Sequence, residues 1–333
     1  MGAFLEGWRR VLGAPALVAS IVAATFLAAL PLAMTVSRAI EQHLGASVEA
    51  ERALEGWHAG WAAEFGASAQ GLARTFTHEI LGFGGTLATL SGLLDRVPLS
   101  PPLAAAVAAY LALWVFLTGG IIDRLARGRP IGGAAFFAAC GGHFWRMLRA
   151  AALAWGAYYA AFAWLHPGLF LGLLNRLTRE TTEERDVVAV RVVLYVVFLL
   201  VLLAIGLVSD FARVRLVIED RRSALGAFAA SLRFIRRRAV RTVALYAVNL
   251  AALAIILRLW LQVAPEAGAA TWVVLLTGQL YLLARIWARL AFMASEAVFF
   301  QGELAHAQYT AAPDPVWPDS PAAEALDNLR RQS

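Results

Sequence analysis

Long runs of apolar positions alternate along this chain with short polar connections. Runs at 12–36, 103–122, 147–165, 187–208 and 240–261 each approach the roughly 20 residues that a helix needs to cross a bilayer. A sixth begins at Thr271, is apolar as far as Ala284 and stays helix-patterned to Phe300, giving a span over about 271–290. Pro15 and Pro31 interrupt the first run, Pro101-Pro102 precede the second, and His166-Pro167-Gly168 is expected to stop the third. The pattern predicts an all-α, polytopic membrane helical bundle of six transmembrane helices with interfacial amphipathic helices. Residues 1–310 form one membrane domain, followed by a flexible tail at 311–333.

Two segments fall outside that scheme. Residues 38–100 are the longest polar connection. Within them Ala39–Phe65 reads as one or two amphipathic helices, and Trp57, Trp61 and Phe65 share a face at a spacing of four. That face reads as a packing stripe onto the membrane domain. Ile80–Leu94 is apolar but short for a span, and is expected to be buried, interfacial or re-entrant. In the tail, Pro313, Pro315, Pro318 and Pro321 surround Trp317 and exclude a helix; the tail is a solvated cytoplasmic segment or a docking peptide anchored by Trp317.

Composition agrees with a membrane chain. Apolar residues make up 60% and charged residues 16%, with a mean hydropathy of +0.64, against roughly 45–50% and 25% in soluble domains. A soluble, disordered or disulfide-built protein is excluded. The net charge is +6 and every basic residue is arginine. The arginines follow the threading rather than a nucleic-acid surface. Arg9 and Arg10 precede span one. Arg124, Arg127, Arg129, Arg146 and Arg149 separate spans two and three, and nine more, from Arg213 to Arg241, separate spans four and five. The alternate connections are balanced at 166–190 and free of arginine at 262–270. Both termini are therefore expected on the cytoplasmic side of a bacterial inner membrane, with 38–100 outside. The first run, at about 25 residues, is too long for a cleaved signal and is expected to remain as a span.

A threefold repeat is expected as well. Gly2-Ala3-Phe4, Ala135-Phe136-Phe137 and Gly226-Ala227-Phe228 each lead to arginines and then to a span, giving units over 2–122, 133–209 and 225–300. Each unit would be an interfacial helix followed by two spans.

Catalytic signatures are missing. His78-Glu79 lacks the second histidine of a zinc helix, Gly66-Ala67-Ser68-Ala69-Gln70 lacks the last glycine of a nucleophile elbow, and no phosphate-binding loop or dinucleotide fingerprint occurs. His43, His58 and His78 are irregularly spaced for a metal cluster, and the lone Cys140 can form no intrachain disulfide. No cofactor or metal is expected. Intramembrane charge is the remaining pointer. Arg285 and Arg289 lie one turn apart on the sixth span, Glu296 follows on nearly the same face, and Asp210 closes span four. These four form the candidate ion-pair, anion or lipid site. The alternative for the two arginines is snorkelling to the inner headgroups. Asn249, inside span five, reads as a helix–helix hydrogen bond.

The stretches Gly7-Trp8-Arg9-Arg10-Val11-Leu12, Asp210-Phe211-Ala212-Arg213-Val214-Arg215, Glu219-Asp220-Arg221-Arg222-Ser223-Ala224, Gly278-Gln279-Leu280-Tyr281 and Leu304–Pro313 resemble a family of uncharacterised bacterial six-span membrane proteins. More distantly, the pattern of interfacial helix and span is similar to the membrane domain attached to some glycerophosphodiester phosphodiesterases. That resemblance implies the architecture and no active site. The expected function is that of a non-enzymatic inner-membrane protein acting through anionic membrane lipids or a membrane protein partner, without nucleic acid. The alternative is a small transporter or permease subunit with an anion or lipid-headgroup site near Arg285 and Arg289.

Overall fold

Pro15 decides where the first span begins. Its ring disfavours helical backbone at the preceding residue, and Ala14 is accordingly non-helical (φ −130°, ψ 52°). A short helix α1 (Gly2–Leu12) is thereby separated from α2 (Pro15–Leu44), which runs on through Pro31. In the computed structural model the described residues are 2–54, 58–76, 91–92, 101–180, 183–265 and 269–311, with backbone alone at 54 and 305–311. Trp57, His78, all of 80–94 except Ser91 and Gly92, and the tail around Trp317 lie outside them.

Two short helices follow, α3 (Ala50–Leu54) and α4 (Ala59–Ser68). Then come α5 (Pro101–Arg127), α6 (Gly133–Ala160), α7 (Glu184–Ile218), α8 (Ala224–Arg237), α9 (Ala239–Val263) and α10 (Thr271–Ala311). No strand occurs among the described residues. Six helices are long and apolar enough to cross a membrane: α2, α5, α6 with its continuation to Leu177, α7, α9 and α10. The chain is an all-α polytopic bundle.

The third span corrects one expectation. His166-Pro167-Gly168 does not stop it. The helix passes through π turns at Ala161–Leu165 and Gly168–Leu173 and ends at Leu177. A π turn shifts the hydrogen-bond ladder by one residue and so relieves the clash and lost N–H that proline imposes on an α-helix. Another difference lies at 39–44, which belongs to α2 rather than to a separate outer helix. The repeat is also uneven. α1 and α8 are separate short helices before α2 and α9, but Ala134–Phe144 is continuous with its span in α6, where no proline or capping break intervenes.

Long-range contacts gather one end of the bundle. Arg10 of α1 donates to the carbonyls of Leu125 (2.9 Å) and Ala126 (3.1 Å) at the end of α5, and to Gln301 of α10 (3.1 Å). Gln301 in turn donates to Ala126 (3.1 Å). These bonds satisfy carbonyls that a helix end leaves open. Gly7 lets α1 cross α10 in direct backbone contact: a Cβ there would lie 2.6 Å from the Ser295 Cα. The buried Arg215 guanidinium sits between the rings of Phe234 (5.3 Å) and Phe300 (4.7 Å) and is held by Glu219 (3.0 Å), joining α7, α8 and α10. Arg146 pairs with Asp220, and Arg238 and Arg241 both pair with Glu303. At the other end Trp61 and Phe65 stack on each other (5.3 Å) and pack with Ile40, His43 and Leu44 of α2, so the aromatic stripe of α4 covers the end of a span.

Candidate functional site

α7 and α10 carry the four candidate residues, and the structure divides them. Arg285 is exposed and lies over Tyr281 (5.4 Å to the ring centre), which stacks on Trp260 of α9 (4.4 Å). It joins neither Asp210 nor Glu296. Arg289, one turn on, is exposed as well but meets a different helix. Its guanidinium covers the Trp114 ring of α5 at 3.4 Å, with Tyr110 in electrostatic range. No carboxylate lies within ion-pair distance of Arg289 among the described residues.

Asp210 pairs with Arg213, three residues on in the same helix. This partner carries the signal i, i+3 on a helix, yet a count that placed Arg213 in the basic connection passed over it. Asp210 also lies in electrostatic range of Arg289 and Glu296. Glu296 is 2% exposed, and its Oε1 has no hydrogen-bond partner. Beside these acids the hydroxyls of Tyr158 (α6) and Tyr246 (α9) converge on Gly206. A Cβ there would lie 2.7 Å from the Tyr246 hydroxyl and 3.1 Å from that of Tyr158. One turn of helix away, Asn249 donates to Ser295 (2.9 Å), the expected helix–helix hydrogen bond. A polar cluster therefore lies between α6, α7, α9 and α10.

Arg213 and Arg289 also face a cavity of about 140 Å³ between α5, α6, α7 and α10. Trp114, Thr118, Tyr158 and Ser209 complete its polar wall, and Leu111, Ala151, Ala154 and Trp155 form an apolar rim. Leu111 and Trp155 are 36% and 42% exposed, so the rim opens sideways, between α5 and α6. The Thr118 and Ser209 hydroxyls donate to carbonyls of their own helices, Trp114 (2.6 Å) and Ile205 (2.6 Å). The two guanidiniums are thus the main donors facing the space.

No group of three or more metal-ligating side chains occurs among the described residues, where His43 packs on Trp61 and His58 accepts from the Trp61 amide (3.3 Å). Cys140 is buried between α5 and α6. Comparison with protein-family models, curated proteins and solved structures produced no match.

Proposed function

We propose that this chain is a non-enzymatic protein of a bacterial inner membrane that acts through anionic lipid and a membrane protein partner, with both termini in the cytoplasm. The observation that carries the reading is the collar of arginines at one end of the bundle. Arg9, Arg127, Arg129, Arg149, Arg222, Arg233, Arg236, Arg237 and Arg241 are all exposed there, on helix ends that Arg10, Arg146, Arg215 and Arg238 hold together. Each arginine near a membrane surface attracts anionic lipid by about 1 kcal/mol. The exposed large apolar residues of α2, α7 and α9, such as Phe26, Leu200 and Ile255, suit acyl chains alongside the collar. In nanodiscs of mixed phosphatidylglycerol and phosphatidylcholine, lipid released with the protein should be enriched in phosphatidylglycerol, as read by mass spectrometry. Release in the proportions of the starting mixture would sink the reading.

A second reading, a small transporter or permease subunit, draws on Asp210, Tyr246 and Glu296 inside the bundle. Ionisable groups buried within a membrane helical bundle mark substrate paths in many transporters.

A further inference from the structure

We infer that the cavity lined by Arg213 and Arg289 binds the phosphate group of an anion that enters between α5 and α6. The inference rests on the lipid-dependent reading above and narrows it to one place. Arg289 has a ring face on one side and Tyr110 beside it, but no carboxylate against it among the described residues. Arg213 engages Asp210, and a guanidinium carries five N–H donors, so a carboxylate leaves several of them free. Two guanidiniums facing one space suit a tetrahedral oxyanion, which a planar fork of donors can grip with paired bonds.

Depth and shape point to the same ligand. Counted along α10 from Thr271, Arg289 lies about 27 Å into a hydrocarbon core about 30 Å thick, the level of the far headgroups. The rim of Leu111, Ala151, Ala154 and Trp155 would border acyl chains while the arginines hold the phosphate. Arg285 provides an internal comparison, since it carries the same charge one turn away and lines no part of this cavity.

The test uses the full chain in nanodiscs of phosphatidylglycerol and phosphatidylcholine, with bound lipid counted by native mass spectrometry. Wild type and Arg285→Met should each retain a tightly held phosphatidylglycerol. Arg289→Met should lose it by roughly tenfold, and Ala151→Phe, which fills the rim without changing charge, should do the same. The second variant keeps the test open if the first fails to fold. Inorganic phosphate titrated against the retained lipid separates the sources. Displacement identifies a site for free phosphate as well, and lack of displacement identifies a lipid site. The inference is overturned if Arg285→Met loses the lipid as readily as Arg289→Met, or if both Arg289→Met and Ala151→Phe keep it. If wild type prefers phosphatidylglycerol only in its loosely held lipid, the cavity assignment falls and the collar reading stands. If it shows no preference, both fall.

Discussion

Charged side chains in this bundle differ by what stands next to them. Asp220, in the turn between α7 and α8, takes a left-handed backbone (φ 49°) and accepts a hydrogen bond from Arg146 of α6. That bond and the guanidinium charge hold its carboxyl below the usual carboxylate range. A depressed folded-state value means that the bond stabilises the fold above the unfolded value of about 3.9 and that the gain vanishes as pH falls through the folded one. Asn tolerates the same backbone. Asp220→Asn should therefore lower the thermal midpoint at pH 7, and the gap from wild type should close below about pH 4; a gap independent of pH would refute the pairing. Arg285 and Arg289 show what sequence leaves unread at this scale. Four residues apart, they look equivalent on a helix. Only the packing of α5 gives Arg289 a Trp114 ring, and only the packing of α9 sets Trp260 on the Tyr281 beneath Arg285. The meeting of Tyr158 and Tyr246 over Gly206 joins three separate helices and has no local signature.

At the scale of elements, helix existence was legible and helix continuity was not. Apolar runs are a local property, so all six spans could be placed from the chain itself. Continuity depends on how the backbone resolves a proline: Pro15 breaks a helix at Ala14, whereas Pro167 sits between two π turns within a helix that continues. The joint between α1 and α10 is the element contact most open to test. A Cβ at position 7 would meet backbone of Ser295, which cannot swing aside as a side chain can. Gly7→Ala should therefore cost about 1–3 kcal/mol and expose the α1 amides to hydrogen exchange. Gly2→Ala, with open space around it, serves as the control. Equal protection of α1 in both variants would show that the crossing is looser than the geometry indicates.

For the whole molecule, the arginine-rich connections lie at the end of the bundle where the helix ends are gathered. Gly2 and Leu304 lie on helices joined through Arg10 and Gln301. In a Cys140→Ala background, a cysteine at Arg222 should react with a membrane-impermeant thiol reagent only after the cytoplasmic side is opened, and one at Ser47 should react from outside. The reverse pattern would invert the threading. The length of α10 has a further consequence. Its 41 residues measure about 61 Å along the axis, twice the depth of the hydrocarbon core. Such a rod is longer than one crossing requires, and its second half is packed among α1, α8 and α9 through Ser295 and Phe300. A body that meets the chain at the Ala311 end of α10 would then dock at a standoff from the membrane, and the reach of that encounter is set by a count of helical turns.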